Sequence, residues 1–119
     1  MIKLIDHITG ATIINHLKIQ SKYFDKLRGY ALRKTVEYDT AMFFLNTRRV
    51  HTFGMFFPLN LYYFDDSLRL LECKQNVQPN RIPVSPKGTR HIMEVPAFNL
   101  KNPIILQGKG KLSFVFGEK

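Results

Sequence analysis

The stretch LNLYYFDDSLRLLECK, residues 59–74, predicts a β-hairpin. Two runs rich in leucine and aromatic residues, 59–64 and 68–74, flank the turn-forming residues 65–67. An isolated hairpin is at best marginally stable in water, so this pair needs further strands beside it. The stretch therefore indicates a domain built around a β-sheet.

The flanking sequence supplies further strands. Residues 2–5 and 12–19 are short runs rich in β-branched residues, and they predict a second pair of strands. Residues 41–45, Ala-Met-Phe-Phe-Leu, are continuously apolar and predict a strand that is buried on both faces. Additional candidate strands cover residues 50–55, 91–95, 104–107 and 111–116.

One helix is predicted, over residues 21–29, with Ser21 as its N-cap and Gly29 as its C-terminal stop. About nine short strands and one convincing helix indicate a mainly β fold. Closing the sheet into a barrel removes exposed strand edges. We therefore expect one compact, barrel-like domain over residues 1–119, made of largely antiparallel strands with one or two short helices.

Length and composition narrow the class of protein. The chain has 119 residues, of which 45% are hydrophobic, and this is enough for one core. Its single cysteine, Cys73, cannot form an internal disulfide. No run of eighteen apolar residues occurs, which argues against a membrane span, and the acidic Asp6 interrupts the N-terminal apolar run, which argues against a signal peptide. A cytoplasmic protein is the resulting expectation.

The chain is strongly basic, with a formal net charge of +9. Within residues 74–111 there is one acidic residue, Glu94, against seven basic ones, which are Lys74, Arg81, Lys87, Arg90, Lys101, Lys109 and Lys111. Two interpretations stay open. These charges either solvate the surface of a small protein, or they form a surface that binds anions, acidic proteins or nucleic acid.

The densest group of functional side chains lies in residues 48–59, RRVHTFGMFFPL. Along an extended strand, Arg49, His51 and Phe53 share one face, which offers a cation, a titratable ring and an aromatic wall to one ligand. The alternative is a half-buried strand with Arg49 and His51 at its polar rim.

Metal and cofactor sites are not expected. The histidines and Cys73 never occur at a close ligand spacing such as H-x-x-x-H or C-x-x-C. Gly108 and Gly110 lack the third glycine and the helix of a dinucleotide loop. Ser85 lies among prolines and not in a nucleophile elbow, so no catalytic residue is assigned.

Several motifs occur in an order that resembles domain-of-unknown-function family 192, over about residues 12–100. The motifs are RGYALR at 28–33, HTFGM at 51–55, Pro-Leu at 58–59, an acid at Asp65 and MEVP at 93–96. The resemblance implies a compact, mainly β domain found in bacteria and archaea, often exported and without an established activity. It also implies that Arg28, His51, Met55 and Glu94 matter.

This chain departs from the family pattern in two informative places. Asn60 stands where the family usually has an acid, which puts a proton-transfer role at that point in doubt. Leu68 stands where the family hairpin commonly has glycine. A leucine at positive φ costs about 1 kcal/mol, so we expect the turn to have a different register.

Three functions are compatible with these observations. The first is a non-enzymatic binding or accessory module with a polar pocket for a small anionic ligand or a chain terminus. The second is a small hydrolase-like enzyme that uses His51 as acid or base, and it needs a carboxylate to orient the ring. The third is a nucleic-acid-binding domain that uses the basic C-terminal half. The predicted ligand-binding residues are Arg28, Arg49, His51, Met55 and Glu94.

Overall fold

Seven strands form one sheet in the computed structural model, which describes residues 2–6, 10, 12–20, 40–97 and 112–116. The strands are β1 (Ile2–Asp6), β2 (Thr12–Gln20), β3 (Thr40–Phe44), β4 (Leu59–Phe64), β5 (Leu70–Val77), β6 (His91–Pro96) and β7 (Leu112–Phe116). The described residues contain no helix, and hence none that could cross a membrane. The predicted helix over 21–29 and the predicted strand over 104–107 lie outside the described residues.

The strand order is β5-β4-β6-β3-β2-β1-β7. All neighbours are antiparallel except β2 and β3, which are parallel. The mainly β, largely antiparallel prediction is therefore confirmed. The predicted barrel is not: in the described part of the chain β5 and β7 are the two ends of an open sheet. Closure depends on which distant strands pair, and the apolar pattern of each strand does not specify this.

The predicted hairpin of residues 59–74 is present as the antiparallel pair β4 and β5. Its turn is organised by Asp65, whose Oδ1 accepts the backbone N–H groups of Ser67 at 2.9 Å and Arg69 at 3.0 Å. Leu68 has φ 62°, so the expectation that leucine would avoid this conformation is wrong. The partly buried Leu68 side chain packs against the core, and this contact offsets the backbone cost.

Both faces of the sheet are buried. One core cluster contains Leu4, Ile14, Leu17, Ala41, Phe43, Tyr62, Phe64, Met93 and Val95. The cluster on the other face contains Met42, Phe44, Met55, Phe57, Leu59, Leu61, Tyr63 and Ile92. Successive residues of β3 alternate between the two clusters, which confirms the prediction of a strand buried on both faces.

The second cluster is covered by the β3–β4 loop, residues 45–58. Met55 and Phe57 of this loop are buried and Val50 packs beside them. The strand predicted over residues 50–55 is thus wrong. Gly54 has φ 76°, and the N–H of Met55 donates to the carbonyl of Thr52 at 3.3 Å, so the chain turns back where a strand would continue.

Candidate functional site

Sheet topology brings three connections to one edge. Strands β3 and β4 are both antiparallel to β6, which lies between them, so both end at the edge where β6 begins. The β3–β4 loop, the β4–β5 turn (residues 65–69) and the end of the β5–β6 loop (residues 78–90) therefore meet there. Loops gathered at one edge of a rigid sheet are common sites of function.

A cavity of about 550 Å³ lies between these three connections. Its size falls within the range of roughly 300–1,000 Å³ that is typical of small-molecule sites. We call it the arginine cavity. The lining side chains with polar or charged groups are Arg48, Arg49, Arg90, Asp65, Asp66, Ser85 and Thr89.

Thr52 joins the two long loops that build the cavity. Its side chain is fully buried, and its Oγ1 donates to the carbonyl of Gln78 at 2.8 Å and accepts the N–H of Arg81 at 2.8 Å. The Thr52 backbone adds two bonds, since its N–H donates to the Arg81 carbonyl and its carbonyl accepts from the N–H of Asn80, both at 2.9 Å. This network fixes the β5–β6 loop against the β3–β4 loop.

Arg90 is held firmly at the start of β6. Its backbone N–H donates to the carbonyl of Phe64 at 2.7 Å, and its carbonyl accepts from Thr47 at 2.9 Å. Its side-chain Nε donates to Oδ1 of Asn46 at 3.1 Å. In turn, the N–H of Asn46 donates to Nδ1 of His91 at 3.0 Å. The terminal nitrogens of Arg90 make no hydrogen bond within the described residues, so they are available to a ligand.

One wall of the cavity is the turn over residues 86–89. Thr89 closes it, because its N–H and its Oγ1 both donate to the carbonyl of Pro86, at 3.3 and 2.7 Å. Gly88 has φ 92°, a conformation that suits glycine at this point of a turn. The turn is rigid, and it leaves the lone pairs of the buried Thr89 hydroxyl oxygen as acceptors.

Two buried hydroxyl groups, those of Ser85 and Tyr63, lie near this turn. The oxygens of Ser85 and Tyr63 are both shielded from solvent, and neither makes a hydrogen bond of full geometry within the described part of the chain. Burial, helped by the negative charges of Glu72 and Glu94, raises the pKa of Tyr63 to about 12, although the neighbouring Ser85 hydroxyl acts in the opposite direction. Tyr63 is therefore a neutral hydroxyl group at neutral pH.

Lys74 fastens the β5–β6 loop to β5 near these hydroxyls. Its Nζ donates to the carbonyl of Val84, lies 3.7 Å from Oε2 of Glu72 and sits 5.7 Å from the ring centre of Tyr63. Lys74 does not line the cavity. It instead fixes the carbonyl of Val84, the residue that precedes Ser85 in the chain.

The cavity contains charges of both signs that do not neutralise one another. Among the described residues, no arginine nitrogen comes within 4.0 Å of a carboxylate oxygen, and the one ion pair is the Lys74–Glu72 contact. Arg48, Arg49 and Arg90 are exposed, and the arginines outnumber the aspartates of the lining by three to two. Such an arrangement leaves guanidinium groups free to bind an anion.

The structure separates the predicted residues Arg49 and His51. Arg49 lines the arginine cavity, whereas His51 does not. His51 is exposed, its Nδ1 accepts the N–H of Phe53 at 3.2 Å, and its ring centre lies 5.3 Å from that of Phe53. The shared face expected for these residues depended on a strand that the β3–β4 loop does not form.

Two other predicted residues are buried in the core, one in the β3–β4 loop and one in the sheet. Met55 is 8% exposed within the second core cluster. Glu94 is 4% exposed on β6, in register with Met42 on one side and Leu61 on the other. Neither of them lines the cavity. Arg28 lies outside the described residues.

Sequence reasoning missed most of the cavity lining. Arg48 enters the sequence prediction only within the stretch of residues 48–59, and Arg90 only as one of the seven basic residues within 74–111. A usable signal exists, since Arg48, Asp65 and Arg90 all lie close to the end of a predicted strand. Without the strand order, nothing indicated that those ends share one edge. The described residues also hold no group of three or more His, Cys, Asp or Glu side chains that could bind a metal ion.

Two solved structures share this fold. One is described as "a putative transcription regulator" from Sinorhizobium meliloti, with 17% identity and a TM-score of 0.73, covering 95% of this chain and 91% of that one. The other is a protein of unknown function from Novosphingobium aromaticivorans, with 13% identity and a TM-score of 0.62, covering 81% of each chain. At these identities the likeness shows the fold alone.

A search of curated proteins gives no match. The sequence model of family DUF192, whose description is "Uncharacterized ACR", matches residues 6–109, which is most of the chain. This agrees with the motif order from Arg28 to Pro96 and with the mainly β sheet. The chain therefore belongs to the DUF192 family.

Proposed function

We propose that this protein is a non-enzymatic binding module whose arginine cavity binds a small anionic ligand. The observation that carries the proposal is the convergence of Arg48, Arg49 and Arg90 on one cavity without a carboxylate in ion-pair range among the described residues. A phosphate or carboxylate accepts charge-assisted, bidentate hydrogen bonds from guanidinium groups. Thr89 and Ser85 line the same cavity, but the Thr89 hydroxyl hydrogen is donated to the Pro86 carbonyl, so the contacts to the anion come from the arginines.

Preorganisation of the lining supports this function. Arg90 is fixed at its backbone and at Nε, and Thr52 holds the opposing loops together. The Arg90 side chain is therefore already ordered before a ligand binds, which lowers its share of the entropic cost of association. Arg28 remains a predicted contributor on the strength of the family resemblance.

The enzymatic alternative, with His51 as acid or base, finds less support. His51 does not line the cavity. Its Nδ1 is occupied by the Phe53 N–H. A catalytic histidine normally needs an orienting partner, and among the described residues no carboxylate lies in ion-pair range of His51.

The test is a titration with ethyl phosphate, followed by two-dimensional NMR of the backbone amides. We expect shifts to concentrate at residues 46–49 and 85–90. Arg49→Gln should lower the affinity about fivefold to tenfold, because one partly exposed charge-assisted contact is lost. Arg81→Gln is the matched control, since Arg81 is an exposed loop arginine outside the lining, and it should change the affinity less than about twofold. Equal effects of both variants, or shifts spread over the surface, would refute the proposal.

A further inference from the structure

The arginine cavity also presents two carboxylates. Asp65 and Asp66 line it from the β4–β5 turn, and among the described residues no lysine or arginine nitrogen comes within 4.0 Å of their carboxylate oxygens. Oδ1 of Asp65 is used by the backbone N–H groups of Ser67 and Arg69, which leaves its other oxygen unassigned. Asp66 is exposed and makes no hydrogen bond or ion pair within the described residues.

A simple anion uses only part of such a cavity. The arginines attract it, but the two aspartates repel it. A ligand that carries both an anionic head and a protonated amine satisfies both kinds of charge. Its head accepts hydrogen bonds from the guanidinium groups, and its amine donates hydrogen bonds to the carboxylates. The lining combines guanidinium and carboxylate groups that form no ion pair with each other among the described residues, and this distinguishes it from a plain phosphate or sulfate site.

The net charge of the lining indicates which head group fits. Three arginines and two aspartates sum to a net charge of +1. A phosphate monoester carries close to two negative charges at neutral pH, so an aminoalkyl phosphate has a net charge near −1. An amino carboxylate has a net charge of zero and leaves one guanidinium uncompensated. The phosphate also has three terminal oxygens, enough to engage more than one arginine.

We infer that the ligand class of this protein is a small aminoalkyl phosphate, bound with its phosphate at Arg48, Arg49 and Arg90 and its ammonium group at Asp66 and Asp65. This inference rests on the proposed function, because it requires the arginines to bind an anion. It adds a role for the two aspartates that binding of a simple anion does not need. Matched ligands with and without the amine separate the two claims.

The experiment compares phosphoethanolamine with ethyl phosphate, which has the same head and chain length but no amine. In calorimetry at low salt, we expect phosphoethanolamine to bind about threefold to fivefold more tightly than ethyl phosphate, because its amine adds one solvent-exposed ion pair with a carboxylate. The pair γ-aminobutyrate and butyrate repeats the comparison with a carboxylate head. Both carboxylates should bind more weakly than phosphoethanolamine.

Asp66→Asn should remove the advantage of the amine. We expect it to lower the affinity for phosphoethanolamine to that for ethyl phosphate, and to leave the affinity for ethyl phosphate equal or slightly higher. Glu72→Gln is the matched control, since it removes one negative charge from a residue outside the cavity and should preserve the advantage. Circular dichroism of each variant checks that the sheet is retained.

The outcomes separate the two proposals. If ethyl phosphate does not bind at residues 46–49 and 85–90, the proposed function itself fails. If ethyl phosphate binds there but the amine gives no gain, or Asp66→Asn and Glu72→Gln act alike, the anion site stands and the inference of an aminoalkyl phosphate is overturned. Tighter binding of γ-aminobutyrate than of phosphoethanolamine would overturn the choice of a phosphate head.

Discussion

Leu68 is the residue at which backbone strain and side-chain burial oppose each other most directly. Its φ of 62° costs a leucine about 1 kcal/mol, while its side chain packs against the first core cluster. Leu68→Gly removes the strain together with the contact, whereas Leu68→Ala removes the contact and keeps the strain. We therefore expect the glycine variant to be more stable than the alanine variant by about 1 kcal/mol in urea unfolding.

Leu71 provides the control for this comparison. It is 40% exposed on β5 and has no positive φ. Glycine in a strand is less stable than alanine by about 0.5–1 kcal/mol, so at this position the order of the two variants should be reversed. If alanine is the more stable replacement at position 68 as well, the strain argument fails.

Arg49 and Glu94 show which properties of single residues could be predicted from the sequence and which could not. Arg49 was predicted from the strand face that it would share with His51 and Phe53, and it lines the cavity although that strand does not form. The burial of Glu94 could not be foreseen, since carboxylates are almost never fully buried unless paired. Its 4% exposure follows from the central position of β6 in the sheet, and this is a property of the strand order.

At the level of elements, strands were predictable where an apolar run ended at turn residues. The prediction of a strand over residues 59–64 coincides with β4, and that over 91–95 differs from β6 by one residue. Residues 50–55 also resemble a strand in sequence but form a loop, because Val50 and Met55 pack on the sheet while Thr52 bonds to the β5–β6 loop. Burial here does not follow the alternation of a strand, since Met55 is buried whereas His51, which would share its face, is exposed.

Thr52 should therefore control both stability and binding. Thr52→Val keeps the shape of the side chain, but it leaves the Gln78 carbonyl and the Arg81 N–H without their partner. We expect a loss of about 1–3 kcal/mol in the free energy of unfolding, because polar groups become unsatisfied at a buried site. The affinity for ethyl phosphate should fall as well, since residue 52 then joins the loops that carry the cavity arginines only through its two backbone hydrogen bonds.

Thr47→Val is the matched substitution in the same loop. The Thr47 hydroxyl donates only to the carbonyl of Leu45, two residues away, and it is partly buried. Its loss should cost no more than about 1 kcal/mol and should not separate the loops. Equal losses of stability at positions 47 and 52 in urea unfolding would contradict the role assigned to Thr52.

At the scale of the whole molecule, the order of the strands in the sheet determines which charged residues meet at the cavity. The insertion of β6 between β3 and β4, antiparallel to both, places the connections after β3 and β4 at one edge. The arginine cavity exists because of this order. A sequence pattern yields the strands and some of the charged residues, whereas the edge at which those residues meet depends on pairings between strands far apart in the chain.

The net charge of +9 should attract any polyanion to the protein, whether or not the arginine cavity takes part. If nucleic acid binds only through this diffuse charge, single-stranded oligonucleotides should bind weakly at 50 mM salt, and most of that affinity should be lost by 200 mM, as counterion release requires. Fluorescence anisotropy should then show no preference between oligo(dT) and oligo(dA), and Arg49→Gln and Arg81→Gln should weaken binding equally. Binding that resists salt and selects a sequence would instead favour a nucleic-acid-binding domain over a binding module for small anions.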